Sequence, residues 1–403
     1  MISSAVRWEH RPLKYVARLN QQKLSDATDP DRLLRYVDIS AVNRTGEVGE
    51  PQELTFQAAP SRARRLALPG DTVISTVRTY LEAVAYVDDA LTQCVFSTGF
   101  AVVQPSAAMD GRFLYYVMRS APFIAEVASR SVGVSYPAVN PSDLASINVP
   151  VPPLAAQQEI AHHLDQEVSR LDELVRRKQQ TFALLHERRA GTIDRAFVGF
   201  DDARWPVKWA VGGVQVGIVV QPSQYYKPSG WPLLRGLNVK PGRVVSDDLR
   251  FIDDADNQAQ AKSRLKAGDV VVVRTGKAGA AAVVPTWADG ANCVDLLIVR
   301  QSERLEPRFL EYFLNSGEAI RQIEKHSVGA IQSHFNVEAM KRLLIPLPPL
   351  HTQRATVAEL DHELEQQDAV RAASGRQLDL LAERRRSLIT HTIEGTTRKL
   401  QTA

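Results

Sequence analysis

Pro152-Pro153-Leu154-Ala155-Ala156-Gln157 returns as Pro348-Pro349-Leu350-His351-Thr352-Gln353, an offset of 196 residues. Working outward, the same offset carries Arg112-Phe113-Leu114 to Arg308-Phe309-Leu310 and Ser131-Val132-Gly133 to Ser327-Val328-Gly329. It also carries Pro150 to Pro346 and Glu187-Arg188-Arg189 to Glu383-Arg384-Arg385. From Arg112 to Ile193, 25 of 82 positions match their partners without a gap. A period this long is a domain plus a helix rather than a solenoid repeat, so the chain is a tandem duplication.

Each half opens with a β-rich stretch punctuated by turns. The first predicts strands in Leu34–Ile39, Leu54–Phe56, Thr72–Val77, Glu82–Val87 and Ala101–Val103, and the second in Leu233–Leu237, Val244–Val245, Val270–Arg274, Ala281–Val284 and Leu296–Val299. Helical spacing of apolar residues then predicts one helix over Arg112–Ala128 and another over Arg308–Lys325. A polar loop, a short strand ending at Val149 or Ile345 and a proline-rich stop follow in each half.

After the prolines, Leu164, Val168, Leu171, Val175, Phe182 and Leu185 step by three and four, interrupted at Lys178. The second copy gives Leu360, Leu364, Leu378, Leu381 and Leu388, with Ser374-Gly375 in the middle, where a kink or a polar layer is expected. A long helix with one apolar stripe needs a partner stripe, and the economical partner is the other copy. The expected class is α+β: two duplicated β-rich units, 1–150 and 199–346, joined by long helices in 151–198 and 347–403. Antiparallel packing of those helices relates the copies by a pseudo-two-fold axis and sets the prolines at opposite ends of a rod. Duplex DNA has the same kind of axis, which dimeric binders exploit by spacing their half-sites.

The whole architecture resembles the specificity subunits of Type I restriction-modification systems. The resemblance rests on the Pro-Pro-Leu-x-x-Gln helix starts, on Arg235-Gly236-Leu237-Asn238-Val239 and on Gly268–Arg274. It implies that each β-rich unit is a target-recognition domain reading one half of a bipartite, asymmetric DNA site. It further implies that the helices dock two methyltransferase subunits using S-adenosylmethionine, and that a motor-nuclease subunit using ATP and magnesium joins them. No cofactor is implied for this chain itself.

The composition constrains this reading. A net charge of +3 makes a lone, tight DNA binder less expected than a subunit sharing contacts with a partner. No apolar stretch approaches the ~18 residues of a membrane span. Cys94 and Cys293 lack metal-ligand spacing and do not share the repeat offset, which fits buried thiols in a cytoplasmic protein. Asn140-Pro141-Ser142-Asp143 fails as a base-flipping methyltransferase motif, and Arg274-Thr275-Gly276-Lys277 fails as a phosphate loop. The adjacent His162 and His163 point to different helix faces, so no metal is expected.

Candidate DNA contacts lie in two kinds of segment. The loop after the repeated Ser-Val-Gly offers Ser131, Ser135 and Tyr136, then Gln332, Ser333 and His334; its plain alternative is a turn that caps a strand. Beside the strands that follow Gly-Asp, Arg78, Tyr80, Arg274, Thr275 and Lys277 are candidates, with Arg235 and Asn238 near the Gly242 turn; the alternative is solvated charge. Candidate docking groups are Gln157, Glu187, Arg188 and Arg189, with Gln353, Glu383, Arg384 and Arg385; the alternative is a solvated helix face. A protein-binding scaffold and a stand-alone regulator remain as other readings of the whole chain.

Overall fold

The computed structural model describes residues 8–200, 204–276, 278–327 and 335–395. The chain divides into two units, Met1–Gln179 with Arg376–Ala403, and Gln180–Gly375. The long helices Leu154–Ala196 and Leu350–Ile393 each contribute to both.

In unit 1 a four-stranded antiparallel sheet runs in the order Ala17–Leu19, Phe100–Pro105, Thr72–Ser75, Val84–Tyr86. A second sheet orders Gln52–Thr55, Leu33–Val37, Cys94–Ser97 and Ala63–Arg65, and its Leu33–Val37 and Cys94–Ser97 strands are parallel. Unit 2 repeats the plan. Its antiparallel sheet orders Gly213–Val216, Leu296–Arg300, Val270–Val273 and Ala281–Val283. Beside it lie Arg250–Ile252, Trp231–Leu234 and Asn292–Cys293, with Trp231–Leu234 and Asn292–Cys293 parallel. The β cores that diverged in sequence therefore share one topology. Cys94 and Cys293 fall on equivalent strands, which unequal loop lengths hid from a fixed offset. Both are buried free thiols, and burial pushes Cys293 up to about 12.

The ends of each unit are joined by a pairing that the sequence did not suggest. His10–Pro12 runs antiparallel to Asn148–Pro150, and Arg204–Pro206 to Leu344–Pro346. Proline is tolerated because these are two-stranded ribbons with free edges. Each polar loop, ending at Asn140 or Asn336, is followed by a short helix that the sequence did not suggest, Pro141–Ala145 or Val337–Arg342.

Several boundaries differ from the sequence expectation, and four of them shape the candidate site and its helices. The helix expected over Arg112–Ala128 is two, Gly111–Arg119 and Ala121–Ser129, because Ser120 is extended (ψ 147°) and Pro122 starts the second. The helix expected over Arg308–Lys325 is Pro307–Leu314 and Gly317–Ser327. The strand from Thr72 ends at Ser75, ahead of a left-handed Arg78 (φ 52°). The strand expected to reach Leu237 ends at Leu234, where a 3-10 turn over Gly236–Asn238 takes over.

The long helices carry the clearest sign of duplication. In unit 1, Leu164 and Val168 from the first helix and Ile389 and Ile393 from the second enter one core with Phe113 and Tyr116. In unit 2 the repeat equivalents Leu360, Leu364, Ile193 and Phe197 enter the matching core with Phe309 and Tyr312, the two helices having exchanged roles. Each such buried side chain contributes about 1.5–3 kcal/mol. Unit 1 thus sets the start of the first helix against the end of the second, and unit 2 does the converse. The helices are antiparallel in both. Polar pairs also cross between these apolar ends: Lys178 Nζ donates to Gln377 Oε1 in unit 1, and the Gln367 amide donates to Thr192 Oγ1 in unit 2. The second helix runs unbroken through Ser374-Gly375, where Ser374 is buried and Gly375 lies near the Phe182 ring, so that segment is not a break.

Candidate nucleic-acid interface

Unit 1 gathers its candidate residues on one exposed hairpin. Val132 and Ala138 exchange backbone hydrogen bonds, with Gly133 at φ 116° turning the chain between them. The hairpin is anchored by Ser131 Oγ, 2.8 Å from Thr79 Oγ1, and by the Thr79 N–H, which donates to the Pro137 carbonyl. The Arg78 guanidinium lies 5.1 Å over the ring of Tyr136. Tyr80 and Ser135 are exposed beside them, and Val134 at the tip is wholly open to solvent. A guanidinium, two phenols, a hydroxyl and an apolar tip form a set able to meet guanine acceptors, phosphates and thymine methyl groups.

The repeat equivalents in unit 2 behave differently. Arg274 and Thr275 directly follow the strand Val270–Val273, where Thr76 and Val77 follow Thr72–Ser75 in unit 1, and Asp295 holds both. Arg274 Nη1 is 2.7 Å from Asp295 Oδ1, its Nε donates to the Phe335 carbonyl, and its side chain is only 17% exposed. The register sets Arg274 level with Thr76 and not with Arg78. Asp295 precedes the strand residue paired with Val273, and Gly99 precedes the one paired with Ser75. Thr76 donates both its N–H and its hydroxyl to the Gly99 carbonyl, and Arg78, two residues further along, lies over Tyr136. Lys277, Gln332, Ser333 and His334 lie outside the described residues.

Two further candidates are corrected. Asn238 is fully buried; its Oδ1 accepts from the Arg235 N–H and its amide donates to the Val245 and Asp247 carbonyls, so it shapes the turn and offers nothing to a ligand. Arg235 is held by Asp248, to which its Nη2 donates twice, and is 19% exposed.

The docking candidates separate in the same way. Gln157 is fully buried: its Oε1 accepts from the Asp110 N–H and its Nε2 donates to the Ala108 and Pro152 carbonyls. Gln353 repeats this with the Glu306 N–H and the Arg304 and Pro348 carbonyls. The pair fixes each helix start to its β unit and leaves no group for a partner. Arg385 pairs with Asp172 at 2.8 Å in unit 1, and Arg189 with Asp368 at 3.1 Å in unit 2, so these arginines clamp the helix pair. Glu187, Arg188, Glu383 and Arg384 are exposed.

Sequence reasoning missed Asp165 and Asp361, although the shared offset marks them. Asp165 accepts from Arg112 Nε and from the Tyr116 hydroxyl, both at 2.6 Å, and Asp361 accepts from Arg308 and the Tyr312 hydroxyl. Burial, with the adjacent carboxylate, pushes both phenols above their ordinary range. Among the described residues no cluster of His, Cys, Asp or Glu has metal-binding geometry, and no helix is long and apolar enough to cross a membrane.

Residues 7–181 match the family model described as the Type I restriction modification DNA specificity domain. The chain is similar to the EcoKI specificity subunit of Escherichia coli (strain K12), 24% identical over 195 residues, which is 45% of this chain and 41% of that one. It is also similar to the MjaVIII specificity subunit of Methanocaldococcus jannaschii, 24% identical over 286 residues and 66% of each chain. The alignments thus span less than two thirds of these curated relatives' length. The fold is shared with a solved chain from work on complex assembly and conformational transition of the type I R-M system. The TM-score is 0.72 at 24% identity, over 96% of this chain and 98% of that one.

Proposed function

We propose that this chain, a member of the specificity-subunit family of Type I restriction-modification systems, is the non-catalytic subunit that selects a bipartite DNA site. Each unit reads one half. The observation that carries this reading is one shared frame with different surface chemistry just after the same strand: an exposed Arg78–Tyr136 pair in unit 1 and an Asp295-held Arg274 in unit 2. A duplicated frame bearing different surface chemistry suits two different half-sites.

The chemistry belongs to partners in this proposal. Two methyltransferase subunits bring S-adenosylmethionine, and motor-nuclease subunits bring ATP and magnesium, in the cytoplasm. The exposed Glu187-Arg188 and Glu383-Arg384 steps are the surfaces left for docking once the buried glutamines and clamped arginines are set aside.

The charge supports an aiming device that works in assembly. Net charge +3 neutralises few phosphates, and each one neutralised adds about 0.9 to the salt slope of binding. A salt titration of duplex binding tests this, with and without a methyltransferase subunit of the same system. The expected result is weak binding with a shallow slope alone, and a tighter, steeper response on assembly. Tight, sequence-specific binding by the isolated chain, unchanged by the partner, would contradict it.

A further inference from the structure

The β layers of the two units differ at one edge. In unit 1 the neighbour of Cys94–Ser97 on that edge is the strand Ala63–Arg65, paired antiparallel with it. In unit 2 the same edge, beside Asn292–Cys293, is taken by the chain leaving Gly213–Val216, and Ile218 bridges Val294 in parallel. Gly217 permits this approach, since a Cβ there would come within 2.5 Å of the Cys293 carbonyl oxygen. The Ile218 N–H donates to the Cys293 carbonyl at 2.8 Å, and the Ile218 carbonyl accepts from the Asp295 N–H at 3.1 Å. Asp295 also holds Arg274 and Thr275 through its carboxylate, so the loop that begins at Val219 starts beside that group.

This loop opens with two apolar residues and an amide. Val219 and Val220 are 48% and 70% exposed. Gln221 is exposed and left-handed at φ 42°, a conformation that side chains other than glycine rarely adopt and that folded proteins keep mainly where it serves a site. The Gln221 carbonyl accepts from the Gln224 N–H at 3.1 Å, which closes the 3-10 turn Pro222–Tyr225. Its side-chain amide does not cap that turn, and Pro222 stiffens the backbone behind it. The carboxylates of Asp295, Asp253 and Asp248 are paired with Arg274, Lys227 and Arg235, so their charge is offset.

The chemistry of the three residues matches one kind of base pair. In the major groove a glutamine amide accepts from adenine N6 and donates to N7, and apolar side chains pack on the thymine methyl group. Arg274 and Arg235, the guanidiniums that this face would otherwise offer to guanine, are tied down by Asp295 and Asp248.

We propose that Val219, Val220 and Gln221 read bases for unit 2, with Gln221 on an adenine and the valines on a thymine methyl group. The half-site of unit 2 then contains an A·T pair. The assignment rests on the DNA-selecting role of the chain and names the element and the base pair that one unit uses.

The test is duplex binding by the chain assembled with methyltransferase subunits of the same system. The duplexes carry the modified motif, found by sequencing, and single base-pair changes in it. The native complex should discriminate against replacement of one A·T pair in one half-site, and against deoxyuridine in place of a thymine there. Gln221→Ala should reduce the first discrimination by about fivefold or more, and Val219→Ala with Val220→Ala should reduce the second. The other half-site should read as before. Gln221→Asn suits the left-handed backbone and shortens the reach by one methylene; it should show the same loss and decides the matter if Gln221→Ala does not fold. If the native complex reads a bipartite motif while both Gln221 variants keep its discrimination at every position, the assignment is overturned and the DNA-selecting role stands. If the native complex prefers no duplex over another, that role falls and the assignment falls with it.

Discussion

Asp295 and Gly99 occupy the same step in the two antiparallel sheets, Asp295 opposite Arg274 and Gly99 opposite Thr76. Asp295 balances the Arg274 charge and holds its side chain in place; in unit 1 Arg78, two residues beyond Thr76, stays exposed over Tyr136. Asp295→Asn should cost about 1 kcal/mol, since the carboxylate is 41% exposed and surface pairs are screened. On the proposed reading it should also relax selectivity in the half-site of unit 2 alone. Urea unfolding and a panel of duplexes varied in one half-site measure the two effects; a loss of selectivity in both halves would count against the assignment. The candidate site was only partly legible at this scale. Arg78 and Arg274 read alike at the fixed offset of the repeat because nothing local reports that the strands led by Gly70-Asp71 and Gly268-Asp269 are spaced differently, which sets Arg274 level with Thr76. Asn238 and Gln157 read as surface groups because a polar side chain looks the same whether it faces water or satisfies buried backbone.

At the scale of elements, the antiparallel helix pair is fixed by a reciprocal clamp. Arg385 with Asp172 and Arg189 with Asp368 are one interaction made twice with the helices exchanged. A double-mutant cycle on Arg385 and Asp172 should return a coupling of about 0.5–1.5 kcal/mol, while Arg385 with Asp368 should return none beyond about 0.3 kcal/mol. Equal coupling in both cycles would rule out this register. The long helices and the α+β duplication were legible because apolar period and repeat offset agree over dozens of residues. The break at Ser120 was not, because Phe113, Tyr116, Val117 and Ile124 keep helical spacing across it and only the backbone records the turn. The ribbon pairing of His10–Pro12 with Asn148–Pro150 was hidden for another reason: it joins residues far apart in the chain, and proline argues against strands locally.

At the scale of the molecule, the duplication keeps two frames alike while letting their surfaces differ. The matched cores, the glutamine locks at the helix starts and the arginine clamps are common to both units, whereas the β surfaces are not. On the proposed reading, specificity in each half depends on its own unit, and residues 1–150 form a replaceable module. The most direct measurement replaces residues 1–150 with the equivalent unit of a relative and sequences the modified bases in DNA from cells carrying the native partner subunits. The account predicts that one half of the modified motif changes and the other half stays as it was. A motif changed in both halves, or in neither, would contradict it.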